Sequence, residues 1–144
     1  MKKIIIILSL FIASINQSFA TEPNVSSAIV KEFELRFNRA KDVSWSVTHD
    51  FVVASFTQYG KKLSAYFNQS AQLVVVAEPI TVQLLPAELF ISLVENHPTH
   101  TISEVFKMKS DEGVRYYAVL ETKSEKLYVN NNGNEWSIAK KIKK

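Results

Sequence analysis

The stretch "LLPAELFISLVENHP", residues 84–98, decides the fold, because it predicts a helix between two regions that alternate like β-strands. Pro86 suits the first helical position, and Glu88 follows in the first turn, where the helix dipole favours an acidic side chain. Pro98 keeps His97 from continuing the helix. The stretch therefore predicts a short helix with an apolar stripe formed by Leu89, Phe90, Leu93 and Val94.

An earlier segment, residues 25–37, predicts a second amphipathic helix. Val25, Ile29, Phe33 and Phe37 recur at every fourth position, and charged residues occupy the opposite side. This spacing is typical of a helix that buries one face.

Each predicted helix is followed by about four stretches in which apolar residues alternate with polar ones, as in half-buried strands. We therefore predict an α+β fold of two tandem units, about residues 25–78 and 85–139, each a helix plus a four-stranded antiparallel meander. The helices are expected to pack on one sheet face. The predicted strands lie near residues 43–47, 52–56, 63–67, 73–76, 102–108, 114–122, 126–130 and 135–139.

Two polar segments raise the question of whether they are sites or turns. "NNNGN", residues 130–134, contains an Asn-Gly pair that supplies the positive φ angles of a tight hairpin turn, and it lacks the acidic residues of a calcium site. "NQSAQ", residues 68–72, lacks glycine, so we expect a longer or bulged loop there.

The first twenty residues have the features of a signal peptide. Lys2 and Lys3 precede a mostly apolar run, Ile4 to Ile15, and Ser18-Phe19-Ala20 fits a cleavage site. A membrane anchor is the alternative, but the run is shorter than the ~18 residues that a spanning helix needs. We therefore expect cleavage after Ala20 and localisation in the bacterial periplasm or outside the cell.

Composition limits the remaining functions. Removing residues 1–20 leaves 124 residues, a single-domain length, with 15 basic and 14 acidic side chains, so nucleic acid is not an expected partner. The chain has no cysteine, hence no disulfides, and its 47% hydrophobic content is enough for a packed core. The basic end, residues 140–144, is expected to be a solvated tail.

The order of several short motifs resembles that of the PepSY-like, β-lactamase-inhibitor-protein-like secreted proteins common in Bacteroidota, over nearly all of residues 21–144. The matching features are Val43 and Trp45, the Ala65-Tyr66-Phe67 strand, the Leu85-Pro86 pair and the Tyr116-Tyr117 pair. The resemblance implies a protein-binding architecture built on a curved antiparallel sheet. It supplies no catalytic residues.

The residue inventory favours neither catalysis nor metal binding. There is no Gly-x-Ser-x-Gly motif, no phosphate-binding glycine loop and no cysteine nucleophile. His97 and His100 are three residues apart, but Pro98 lies between them and a zinc site needs at least three protein ligands. We therefore expect a non-enzymatic protein with no cofactor and no metal.

Alternation predicts a sheet face that carries aromatic side chains. If Ala118 and Leu120 point towards a helix, Arg115 and Tyr117 point the other way. The same reasoning places Tyr66 and Tyr128 on outward faces. Tyrosine and arginine are enriched in protein interfaces, so Tyr66, Arg115, Tyr117 and Tyr128 form a candidate protein-binding surface, although tyrosine is also a common strand residue.

Three functional hypotheses follow. The first is an exported binding or inhibitory module that recognises a protein or peptide through this sheet face. The second is a small-ligand carrier or enzyme with a pocket between helices and sheet. The third is a structural envelope component whose tyrosine face is covered in a homo-oligomer.

Overall fold

The computed structural model describes residues 23–144, so the expected signal peptide lies outside the described residues. The described chain contains two helices, eight strands and one short 3₁₀ turn at Val82–Leu84. The helices are α1 (Ser27–Arg36) and α2 (Ala87–Asn96), and the strands are β1 (Lys41–Val47), β2 (Val52–Gln58), β3 (Lys61–Phe67), β4 (Leu73–Ile80), β5 (Thr101–Ser110), β6 (Gly113–Glu121), β7 (Glu125–Asn132) and β8 (Glu135–Lys143).

All eight strands belong to one antiparallel sheet, in the order β1-β2-β3-β4-β5-β6-β7-β8. The predicted α+β arrangement of two tandem units, each with its own four-stranded meander, is therefore wrong. The 3₁₀ turn and α2 interrupt the sequence of strands but do not interrupt the sheet. Hydrophobic periodicity identifies a strand, but it does not identify the strands that pair with it. The pattern therefore did not indicate that the strands before and after α2 share one sheet.

The described chain has two compact parts. The first unit comprises residues 23–78 and 109–113, and the second comprises residues 79–108 and 114–144. In the first unit, Ser26 caps α1, since its side chain accepts a hydrogen bond from the Ile29 amide. Ile29 and Phe33 are buried against the aliphatic and aromatic side chains of β2 and β3, as the predicted stripe requires.

The second unit is organised around α2. Leu93 belongs to a buried cluster that also includes Leu85, Ala118, Leu127 and Val129. The Trp136 indole on β8 donates a hydrogen bond to the Leu89 carbonyl oxygen over 2.9 Å, which ties the helix to that strand.

The predicted stripe of α2 is only half correct. Leu89 and Leu93 are buried, whereas Phe90 and Val94 are 41% and 44% exposed. The helix turns about 100° per residue, so Phe90 and Val94 are rotated away from the contact that holds their neighbours.

The basic end of the chain is part of the sheet. Residues 140–143, which we expected in a solvated tail, belong to β8, where Lys140 lies opposite Tyr128. Within residues 23–144, neither helix has the length and hydrophobicity needed to cross a membrane.

Phe33 is expected to be the most sensitive position of α1. Its ring centroid lies 5.0 Å from that of Phe56 and 5.2 Å from that of Trp45, so Phe33→Ala removes several ring contacts and leaves a cavity. We expect the free energy of unfolding to fall by about 3–5 kcal/mol in urea denaturation. Leu35→Ala on the same helix is the control, because Leu35 is 70% exposed; an equal loss in both variants would contradict the packing described.

Candidate functional site

The candidate site in the second unit lies on the sheet face opposite α2. Ala118 and Leu127 point into the cluster beneath the helix. Val119 pairs with Tyr128 across β6 and β7, and residues directly opposite one another share a face. Tyr117, two residues from Val119, lies on that face as well. The alternation used for the sequence therefore agrees with the strand register at these positions.

Arg115 lies two residues before Tyr117 on β6, hence on the same face, and its side chain is half-buried. Tyr117 and Tyr128 are only 2% and 6% exposed. Burial raises the pKa of Tyr117 to about 12, and the positive charge of Arg115 acts in the opposite direction. The phenol is thus neutral at physiological pH and can only donate or accept hydrogen bonds.

Tyr66 lies in the first unit, on the face opposite α1. It pairs with Val53 on β2 and with Val75 on β4, whereas Ala65 and Phe67 join the cluster beneath the helix. The Phe51 ring meets the Tyr66 ring edge to face at 6.3 Å between centroids. Tyr66 is 2% exposed, and burial raises its pKa well above the usual value.

The structure therefore places Arg115, Tyr117 and Tyr128 on one face of the second unit and Tyr66 on the corresponding face of the first. The three tyrosines are buried, which alternation alone does not predict. Neither α1 nor α2 supplies this burial, because each helix packs on the opposite face of its own unit. A binding role for the four residues stays a prediction.

Sequence reasoning missed the apolar neighbours of these tyrosines. Several buried apolar side chains belong to neither of the clusters beneath α1 and α2. They add to the apolar character of the faces that carry the tyrosines. They were detectable as residues adjacent to helix-facing positions of the same strands. They are Val53 and Val75 in the first unit, and Phe106, Met108 and Val119 in the second.

The Asn-rich segment is a structural turn, as predicted. Gly133 has a φ of +63° between β7 and β8, a conformation that glycine adopts without strain. Asn131 is buried, accepts a hydrogen bond from the Tyr116 amide and donates one to the Gly133 carbonyl. Beside the corresponding "NQSAQ" loop, the register between β3 and β4 shifts between Tyr66 and Phe67. In the loop, the Asn68 side chain accepts hydrogen bonds from the Ser70 and Gln72 amides.

The histidines do not form a metal centre with other ligands. The rings of His97 and His100 meet edge to face at 5.7 Å, and burial, followed by the neighbouring His100, lowers the pKa of His97. His100 Nε2 lies 3.1 Å from Glu125 Oε1. Within residues 23–144, no three histidine, aspartate or glutamate side chains converge as a metal site requires. His49 pairs with Asp50 at the surface.

The second unit also contains an open groove of about 800 Å³ around Glu121. Lys144 and Lys126 lie 2.7 Å and 3.0 Å from the Glu121 carboxylate, and their hydrogen bonds lower its pKa to about 2. A carboxylate with this pKa stays ionised at neutral pH and cannot act there as a general acid. The other lining residues are hydroxyl-bearing or basic: Thr99, Thr101, Ser103, Thr122, Ser124 and Lys123.

Several solved structures from Bacteroides have a similar fold. A BLIP-like protein from Bacteroides fragilis has a TM-score of 0.67 and 13% identity, over 84% of this chain and 87% of its own. A DUF2874 family protein from Bacteroides ovatus has a TM-score of 0.70 and 15% identity, over 87% and 89%. A Bacteroides eggerthii protein provisionally described as periplasmic has a TM-score of 0.73 and 14% identity, over 84% and 90%.

These neighbours show that the described chain shares its fold with solved structures that include a BLIP-like protein. The β-lactamase-inhibitor-protein-like part of the resemblance is thereby confirmed, and its PepSY-like part stays a prediction. No protein-family model matches the chain, and no curated protein matches its sequence.

Tyr117 should ionise late in an alkaline titration. Its pKa is raised from 10.0 to about 12, so the stability that its burial confers is fully present below about pH 10 and is lost as the pH rises towards 12. Phenolate absorbance measured against pH should show one late step fewer in Tyr117→Phe than in the wild type, while the late step of Tyr66 persists. Identical titrations of the two proteins would contradict the burial of Tyr117.

The Glu121 carboxylate should titrate unusually low. Its pKa is lowered from 4.5 to about 2, so the stabilisation from its lysines is present above pH 4.5 and is lost as the pH falls towards 2. In Lys144→Met, carboxyl NMR shifts should report a higher Glu121 pKa, because the leading hydrogen bond is gone. Lys140→Met, near the end of strand β8, serves as the matched control. An equal rise of the Glu121 pKa in that variant would contradict a specific interaction between Lys144 and Glu121.

Proposed function

We propose that this chain is an exported binding or inhibitory module without catalytic activity. It recognises a protein or peptide through the sheet face opposite the helix, with Arg115, Tyr117 and Tyr128 as contacts in the second unit and Tyr66 in the first. The observation that carries the proposal is the aromatic and apolar character of that face.

The composition of this face is that of an interface core. Tyrosine and arginine are enriched among the residues that contribute most to binding, because they combine large contact area with a polar group. Met108 and Phe106 on β5 extend the apolar area in the second unit. A side chain such as Tyr117, with its raised pKa, remains a neutral hydrogen-bonding group inside an interface.

Burial of the tyrosines limits how a partner gains access. At 2% and 6% exposure, Tyr117 and Tyr128 contact a partner only when the face is uncovered. Apolar surface left in water costs about 25 cal/mol per Å², so an uncovered face of this composition has a strong tendency to associate. A bound partner restores the burial, which makes covering of the face the driving force of recognition.

The fold supports a binding role by analogy only. One structural neighbour is described as BLIP-like and another is provisionally assigned to the periplasm. These descriptions agree with export and with recognition of another protein across a sheet. Fold alone does not determine function, and the side chains of the face are what a partner would contact.

The groove around Glu121 gives less support to a small-ligand carrier or an enzyme. Ligand pockets enclose most of their ligand, whereas this groove is open to solvent. Two lysines lower the pKa of the Glu121 carboxyl group. General acid catalysis by a carboxyl group requires the opposite, a raised pKa.

Photo-crosslinking tests the proposed surface. We expect a photoreactive amino acid at Arg115 of the secreted chain, residues 21–144, to form a discrete adduct with another envelope protein. The photoreactive amino acid placed instead at position 59 should give no such adduct. Tyr59 lies in the turn after β2 and is 74% exposed. Once the partner is purified, Arg115→Ala should weaken binding about tenfold, as loss of an interface arginine often does.

Two results would contradict the proposal. An adduct with twice the mass of the chain would indicate a homo-oligomer and favour a structural envelope component. Equal adducts at positions 115 and 59, or none at either, would show that this face has no selective partner.

A further inference from the structure

Helix α2 has a second apolar side that faces solvent. Its inner residues Leu89 and Leu93 are 4% and 1% exposed. On the outer side, Phe90, Ile91 and Val94 are 41%, 52% and 44% exposed, which is unusual for three large apolar side chains on one short helix.

These residues form a regular pattern. Together with the exposed Ala87, they occupy positions i, i+3, i+4 and i+7, and we call this set the outer stripe. This spacing is the narrow seam by which one helix packs along another. A helix that is apolar on both sides is generally covered on both sides, so the outer stripe matches a helical partner.

Charge on α2 specifies the kind of helix. Glu88 and Glu95 are exposed and seven residues apart, so they form one acidic row beside the outer stripe. The helix contains no lysine or arginine. A row of acidic residues beside an apolar seam selects a partner with basic residues at the facing positions, as in paired helices.

The same acidic row disfavours the other possible occupants. Two copies of α2 packed through their outer stripes would bring like charges together, which is destabilising. An anionic membrane surface attracts basic helices and repels this row.

We propose that the outer stripe of α2 is a second binding surface, independent of the sheet face, and that its ligand is a basic amphipathic helix. The apolar residues of that helix pack between Ala87, Phe90, Ile91 and Val94, and its lysines or arginines pair with Glu88 and Glu95. Because α2 spans only ten residues, the contact is small, and we expect an affinity on the order of micromolar, as in transient complexes.

A synthetic peptide tests this surface directly. The probe is a fluorescently labelled helix of about 18 residues with leucine at the i, i+3, i+4 and i+7 positions and lysine beside them, long enough to be helical when bound. Fluorescence anisotropy should show saturable binding to residues 21–144. The double variant Phe90→Ser/Ile91→Ser should weaken binding at least about tenfold. Leu35→Ser is the matched control, since Leu35 is an exposed leucine on α1.

Charge reversal makes the test specific. In Glu88→Lys/Glu95→Lys, the preference should switch from the lysine-flanked peptide to a version flanked by glutamate. In the background of Trp45→Phe, which leaves Trp136 as the single tryptophan, emission should be unchanged in every variant, because the Trp136 indole donates a hydrogen bond to the Leu89 carbonyl oxygen and reports on the packing of α2.

Three outcomes would overturn the proposal. The first is equal binding of a peptide with the same composition in scrambled order. The second is an unchanged charge preference after reversal of both glutamates. The third is dimerisation in sedimentation that Phe90→Ser/Ile91→Ser abolishes, which would assign the outer stripe to a second copy of the chain. None of these measurements involves the sheet face, so they are separate from the test at Arg115.

Discussion

The alternation of side chains along an antiparallel ladder divides every strand between two faces, and each unit has one helix to cover one of them. In the first unit, α1 covers the face that carries Ala54 and Phe67, and in the second, α2 covers the face that carries Ala118 and Leu127. The other face remains rich in apolar and aromatic side chains. The proposed function rests on the composition of that face, which carries the side chain types that protein interfaces favour.

The sequence was sufficient to locate the helices and strands but not to join the strands. The i, i+4 spacing of Ile29 and Phe33 defined α1, and a proline on either side defined α2. Nothing in the local pattern indicated that β4 and β5 belong to the same sheet, because pairing depends on contacts between residues far apart in sequence. The intervening helix was consequently interpreted as the boundary of a repeated unit.

The candidate site shows a similar division between local and long-range information. Period two was enough to assign Tyr117 and Tyr128 to the face opposite the helix, since neither strand has an irregularity between the paired positions 117–121 and 126–130. Exposure was not predictable, because it depends on what packs against the face. In α2, apolar character alone grouped Phe90 with Leu89, although only Leu89 is buried. Hydrophobicity identifies surfaces that tend to be covered, and only the fold identifies what covers them.

The second unit therefore has two apolar surfaces on opposite sides of one helix-on-sheet layer. Leu93 on the inner side of α2 and Ala118 on β6 belong to one buried cluster, and Tyr117, which precedes Ala118, lies on the far face of that strand. The outer stripe of α2 and the tyrosine face thus lie on opposite sides of the packed core of this unit. The two proposed binding surfaces therefore face different directions, so a partner bound at one would not obstruct the other.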